Sequence, residues 1–326
     1  MTRIVAVMLG GIGNMVLLTP ALKALARAHP GARIDAVVAS EAAWSVVERA
    51  PFAGRAFRYR SGRDLPRLIP WLRRPRPDLL FVATGHNPAK ARWIARLAGA
   101  RATAGEGPGF THPVAPDFRI HEVPANLRIV APFAPDREVP DPEVWTTEDD
   151  RAQAETVLFR HWGPGPRVAL QAGCGAGLAF KRWPGERFRA LARRLAAQGC
   201  SVAWLAGPGE EDQVAALAEG PVIPPVPIRV AAALLARLDL LVTNDSGPMH
   251  LAAAVGKPTV ALFGPTHEAR FGPWGDGHRV LSRPLPCRPC YPPRRSCPDR
   301  RCLTALSVEE VEAAALDLLG PRRAVG

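Results

Sequence analysis

Short apolar runs alternate with amphipathic stretches along the whole chain, and the same pattern restarts after the middle. A short apolar run reads as a strand buried on both faces, and the amphipathic stretch after it as a covering helix. Repeated β-α units with parallel sheets therefore follow. In the first half, strands are predicted over residues 3–8, 33–38 and 78–82, with helices over 15–28, 41–49, 65–73 and 89–97. The second half predicts strands over 167–171, 201–206 and 239–243, with helices over 185–197, 211–218 and 230–236 and another from Gly247. Residues 132–166, rich in Pro, Gly and acidic side chains, separate the halves, and a linker helix is predicted within them over 147–159. Ser307, with Glu310 three residues on, caps a last helix ending at Leu319. The expected organisation is an α/β chain of two doubly wound, Rossmann-like domains. Residues 1–160 form the first with its linker, residues 161–306 the second, and residues 307–326 a helix and tail. In such sheets ligands bind beyond the carboxyl ends of the strands, so the loops there should carry the chemistry.

At 326 residues the chain can build two ordinary cores, and its 47% hydrophobic and 22% charged content is that of a globular protein. Its longest apolar runs fall short of the roughly 20 residues a membrane span needs. The run after Arg3 is broken by Gly10, Gly11, Gly13 and Asn14 where a signal peptide would continue, so a cytoplasmic location is expected. The net charge of +12 is scattered and almost wholly arginine, the lysines being Lys23, Lys90, Lys181 and Lys257. That distribution speaks against a nucleic-acid-binding tail and suits phosphorylated substrates or peripheral contact with an anionic membrane face.

Three loops look functional. The turn Leu9-Gly10-Gly11-Ile12-Gly13-Asn14 follows the first strand, where glycines let the backbone approach a ligand closely. Its spacing is not that of a dinucleotide fingerprint, which removes a dehydrogenase reading. The segment Asn244-Asp245-Ser246-Gly247-Pro248-Met249-His250 joins a strand to a helix. Asp245 or Ser246 can cap that helix, Pro248 is tolerated in its first turn, and its amides make an anion site suited to a diphosphate. The third feature is a pair of loops: residues 171–183, ending in Lys181 and Arg182, and Gly207-Pro208-Gly209-Glu210. The Lys181-Arg182 pair suits phosphate charge, and Glu210 is placed to accept bonds from ribose hydroxyls.

These segments resemble glycosyltransferase family 9, whose members include the ADP-heptose heptosyltransferases of lipopolysaccharide assembly. The resemblance runs over nearly the whole chain. It includes Gly11-Ile-Gly13 followed by Leu17-Leu-Thr-Pro-Ala-Leu22, His121-Glu-Val with Asn126-Leu, Lys181-Arg-Trp-Pro184 and Gly207-Pro-Gly-Glu210. Its most specific part is the stretch from Asn244 to Lys257, running into Leu262-Phe-Gly-Pro-Thr266. The resemblance implies a GT-B fold, two Rossmann-like domains facing a central cleft, and an inverting, metal-independent sugar transfer needing no catalytic cofactor. It further implies a nucleotide-diphosphate sugar donor, ADP-heptose first, and an anionic saccharide or lipid-linked glycan acceptor. Gly11, Gly13, Lys181, Glu210, Asp245, Ser246, Gly247 and His250 are then the donor-binding residues, with Lys181 also catalytic. One departure bears on catalysis: similar enzymes carry aspartate as the base directly after Gly-Ile-Gly, and this chain has Asn14. An amide can orient a hydroxyl but cannot take its proton at neutral pH. Glu106 or His86 could act instead, the proton could leave late, or the protein could bind sugar nucleotides without turning them over. A nucleotide-sugar epimerase of similar form is the other rival, though its expected carboxylates and histidines are not evident in the first domain.

Cys287, Cys290, Cys297 and Cys302 are spaced C-x2-C-x6-C-x4-C. Four thiolates suit a structural zinc or iron, with reduced, unmetallated cysteines as the other reading, and Arg288, Arg294, Arg295, Arg300 and Arg301 would favour the thiolate form. Cys174 and Cys200 read as packed core residues.

Overall fold

A computed structural model of the protein describes residues 1–84, 88–135, 138–175, 177–290, 297 and 299–320. They form two compact units, Met1–Trp145 and Thr146–Gly326.

The first unit is built on a six-stranded parallel sheet of order β3-β2-β1-β4-β5-β6. Its strands are β1 (Arg3–Met8), β2 (Arg33–Val38), β3 (Ala53–Arg58), β4 (Leu79–Val82), β5 (Ala102–Glu106) and β6 (His112–Val114). Strand β1 pairs in parallel with β2 and β4, and every one of its residues is buried. The alternation of a strand sends Val5 and Val7 to one face, where they meet Leu68, Leu72, Ile94 and Ala95 of the helices Leu65–Arg73 and Pro88–Ala98. The other face carries Ala6, against Met15 and Leu22 of the helix Ile12–Ala28. At the amino end of the sheet, the buried Arg3 donates to Asp35 at 2.8 Å and to the carbonyl of Leu72 at 2.7 Å. These bonds offset the desolvation of its charge.

The second unit repeats the plan, with β7 (Arg167–Gln171), β8 (Ser201–Leu205), β9 (Val222–Ile223), β10 (Leu240–Asn244), β11 (Thr259–Leu262) and β12 (His278–Leu281). Its order, β12-β11-β10-β7-β8-β9, is the first sheet's order with the numbers advanced by half the set. Both are therefore doubly wound sheets, reversing direction between β1 and β4 and between β7 and β10. The fully buried Trp183 and Phe188 pack edge to face at 5.0 Å, and the indole N–H reaches the Leu306 carbonyl at 3.0 Å. An aromatic pair of this kind contributes about 1 kcal/mol beyond its buried area.

The units divide earlier than residue 160. The helix Glu148–His161, capped by Thr147 with Asp150 as its reciprocal partner, belongs to the second unit. Asp150 accepts from Arg229 at 3.0 Å, tying that helix to the helix Ile228–Leu235. The last helix, Val308–Leu319, carries the expected Ser307–Glu310 capping box. It packs on the helix Gly185–Ala197 and is part of the second core rather than an appendage. The helix expected over residues 41–49 ends at Trp44, and turns follow it.

Candidate functional site

In each sheet the reversal point separates two strands whose following loops diverge, leaving room beyond their carboxyl ends. In the second unit these are the loops after β7 and β10. Asn244, the last residue of β10, is fully buried and joins them. Its side-chain amide donates to the carbonyls of Ala172 at 2.9 Å and Gly173 at 3.2 Å, and its oxygen accepts from the Trp183 amide at 2.9 Å. Both ends of the 171–183 loop are thereby fixed to the residue before Asp245. Asn244→Ala would leave these buried groups unpaired. It is expected to lower unfolding free energy by about 2–4 kcal/mol, measured by urea denaturation.

The Asp245 amide donates to Leu262 at 3.1 Å, continuing the pairing of β10 with β11. Its carboxylate Oδ2 accepts from Lys181 Nζ at 2.6 Å and from the Thr266 hydroxyl. Lys181 is carried there by the 3-10 turn Ala179–Lys181, whose last amide bonds the Leu178 carbonyl at 2.8 Å. The cation sought in the sequence and the carboxylate of the Asp245 segment are thus direct partners. Ser246 is the extended residue that opens the helix Gly247–Ala254. Its hydroxyl lies 3.1 Å from Thr243 Oγ1 and caps no amide, while its carbonyl accepts from the Met249 amide at 3.2 Å. His250 is buried in the first turn of this helix.

Glu210, expected to accept from ribose hydroxyls, also has partners within its own loop region. The side chain is 3% exposed, and Oε1 accepts from the amides of Cys174 at 3.0 Å and Gly175 at 2.9 Å and from Arg182 Nη2 at 2.7 Å. This carboxylate organises the 171–183 loop. A Cβ on residue 173 would stand 1.9 Å from Glu210 Oε2, so a side chain there would displace that carboxylate. Burial pushes the neighbouring Cys174 thiol up, with Arg182 opposing it.

In the first unit, Gly11 is the extended residue before the helix Ile12–Ala28, and Gly13 and Asn14 lie in its first turn. The Asn14 side chain folds over Gly10, where a Cβ would approach its Cγ to 2.7 Å. A Cβ on Gly11 would instead point into open space, so packing alone does not demand glycine there. Across the reversal point, Thr84 follows β4 and its amide donates to Asn126 Oδ1 at 3.1 Å. The Thr84 hydroxyl donates to the buried Glu122. Glu106 ends β5 and is half-buried, whereas His86 lies outside the described residues.

Among the cysteines, Cys287 is exposed, Cys290 and Cys297 are half-buried and Cys302 is buried. Burial pushes the Cys302 thiol up; Arg288 opposes this, and Cys297, Cys290 and Cys287 reinforce it. Among the described residues no three Cys, His, Asp or Glu side chains form a metal-ligating group. Arg294 and Arg295 fall outside the described residues.

Residues 82–298 match the family model for glycosyltransferase family 9 (heptosyltransferase). The chain belongs to glycosyltransferase family 9. Over 318 residues it is 30% identical to lipopolysaccharide heptosyltransferase 1 of Pseudomonas aeruginosa, covering 90% of this chain and 87% of that protein. The crystal structure of a family 9 glycosyltransferase from Veillonella parvula superposes with a TM-score of 0.83 at 25% identity, covering 98% and 97% of the two chains. An E. coli heptosyltransferase solved with ADP-2-deoxy-2-fluoro heptose shares the fold at a TM-score of 0.70 and 22% identity, covering 96% and 98% of the two chains. The chain is a glycosyltransferase of GT-B fold, and the epimerase and non-catalytic readings give way to that assignment. No helix among the described residues is long and apolar enough to cross a membrane.

Asn244 and Thr266 take part in the second-unit site beyond the expected residues, and Arg182, expected to face phosphate charge, pairs with Glu210. Asn244 had a legible signal, a polar residue closing an otherwise apolar strand run directly before Asp245. Thr266 closes the Leu262-Phe-Gly-Pro-Thr266 stretch, but its pairing with Asp245, 21 positions away, had no local signal.

Proposed function

We propose that this chain transfers heptose from ADP-heptose to a saccharide or lipid-linked glycan acceptor, inverting the anomeric configuration. The observation that carries this reading is the Lys181–Asp245 pair at the start of the helix Gly247–Ala254, at the reversal point of the second sheet. The relatives add support: the Pseudomonas aeruginosa protein is a lipopolysaccharide heptosyltransferase, and the E. coli structure is described with an ADP-heptose analogue.

On this reading the donor diphosphate takes the amides at the helix start and the ammonium of Lys181. The acceptor hydroxyl attacks the anomeric carbon from the side opposite the diphosphate. Lys181 stabilises the negative charge growing on the leaving nucleotide, and Asp245 holds Lys181 in place and reaches sugar hydroxyls. Glu210 and Asn244 keep the 171–183 loop in shape for this. Asn14 holds the acceptor hydroxyl but cannot take its proton, which passes to water or an acceptor phosphate, late and slowly, after the bond between the anomeric carbon and the diphosphate oxygen has largely broken. The chain works without a cofactor in the transfer, on the cytoplasmic side of the membrane that holds its anionic acceptor.

A thermal-shift screen of nucleotide sugars, followed by nucleotide-release assays with candidate acceptors, tests the donor. Stabilisation by ADP sugars alone is expected; a preference for UDP or GDP sugars overturns the heptose reading. The four cysteines, on the strength of their C-x2-C-x6-C-x4-C spacing, are proposed to hold a structural zinc or iron, whose thiolate bonds would fasten the 287–302 segment. About one metal ion per chain is expected by elemental analysis of protein purified without affinity metals. A content near zero removes the site.

A further inference from the structure

The Asp245 carboxylate is held from a second direction, by a route that begins in the cysteine segment. Thr266, which shares Asp245 Oδ2 with Lys181, lies in the loop after β11. Its carbonyl accepts from Arg288 Nη2 at 2.9 Å, and the same nitrogen reaches Glu268 Oε2 at 2.8 Å. Arg288 Nη1 donates to the Arg283 carbonyl at 2.8 Å. Two residues on, the Cys290 amide donates to the carbonyl of Pro265 at 2.8 Å. The residues on both sides of Thr266 are thus fixed by the Cys287–Cys290 turn.

Arg288 is suited to this in ways that lysine is not. Its side chain is 6% exposed, and a planar guanidinium can serve two carbonyls and a carboxylate at once from fixed directions. The paired strands hold β11 and β12 already. What Arg288 adds is the shape of the loop between them, and with it the direction of the Thr266 hydroxyl. We propose that Arg288 is a positioning residue for the donor site, setting the Asp245–Lys181 pair through Thr266. The brace is made of backbone and guanidinium bonds and does not depend on a metal at the cysteines. The inference rests on the donor reading of the Asp245 loop.

A merely structural arginine would also be buried and paired, so the test must separate positioning from folding. A cavity of about 420 Å³, lined by Arg288, His267, Glu268 and Pro289 among others, gives a small cation access to the place the side chain would vacate. The full-length wild type, Arg288→Ala, Arg288→Lys and a surface control, Arg279→Ala, are titrated with ADP, with and without millimolar methylguanidinium. Arg288→Ala is expected to weaken ADP binding by about ten-fold and to raise the donor KM in parallel, with kcat changing less. Methylguanidinium should restore much of the affinity, and Arg279→Ala should bind as the wild type does. If the alanine variant does not fold, Arg288→Lys carries the test through weaker ADP binding at an unchanged melting temperature. Wild-type affinity in the Arg288 variants overturns the inference. So does a loss that appears only with a lowered melting temperature and is not rescued. Failure of the wild type itself to bind ADP instead overturns the donor reading, and the two failures are thereby told apart.

Discussion

Lys181→Ala is expected to lower turnover by about 10²–10³-fold, with a much smaller change in the KM for the sugar nucleotide. The basis is where the charge is needed. As the bond to the diphosphate breaks, negative charge grows on the leaving nucleotide, and a fixed cation in a partly dehydrated site stabilises that state more than the bound donor. Lys181 meets the requirement because Asp245 fixes its ammonium at 2.6 Å and the two side chains are only 17% and 7% exposed. Removing it also deprives a nearly buried Asp245 carboxylate of its cation while the bond from the Thr266 hydroxyl stays. Some loss of stability therefore accompanies the variant, and the melting temperature has to be measured beside the rate. Lys181→Arg keeps a cation in place and should fall between the two, since a guanidinium is longer and differently shaped. An unchanged rate in the alanine variant would remove Lys181 from catalysis.

The parts of the fold legible in sequence are those whose residues declare themselves locally. The strands β1, β2 and β7 are apolar runs bounded by turns, and the helices Leu65–Arg73 and Gly185–Ala197 have a clear apolar face. Of the strands not anticipated, β11 is itself a short apolar run, Thr-Val-Ala-Leu, whereas others lack that local signal. In β3, Arg55 and Arg58 interrupt the apolar pattern, β6 is three residues long, and β12 opens with histidine and arginine before its valine and leucine. They are strands because the sheet beside them offers unpaired backbone groups, a condition no local window contains.

The site divides in the same way. Asp245, Ser246 and Gly247 sit on a strand-to-helix turn whose chemistry is contiguous, so the segment was visible as a unit. Glu210 was correctly placed at a strand end, but its direction was not legible: whether it faces a ligand or its own loop depends on Arg182 and the Cys174 and Gly175 amides. Those donors converge only once β7 and β8 are side by side. Asn244 shows the same limit, since its three partners lie more than 60 positions away.

Asn14→Asp is expected to raise turnover at neutral pH by at least about ten-fold, within the 10²–10⁴-fold range open to a well-placed general base. The substitution replaces an amide nitrogen by oxygen and leaves the side chain's shape unchanged, so it should fit the same fold over Gly10. Its position in the first turn of the helix Ile12–Ala28, where no acidic residue now stands, favours a negative charge. Stability should therefore hold or rise slightly. The helix terminus depresses the new carboxyl's pKa below its ordinary value near 4, so the group is ionised and able to accept a proton at neutral pH. The gain should shrink as the pH falls through that lowered pKa, while the parent enzyme shows no such step from this position. Rates measured for both proteins across the acidic range, with acceptor KM determined at each pH, separate the outcomes. A larger kcat with unchanged acceptor KM places proton removal at this residue. A rate no higher than the parent's, with a raised acceptor KM, shows that the amide's own donor is what the acceptor hydroxyl needs, and that the proton departs without help from position 14.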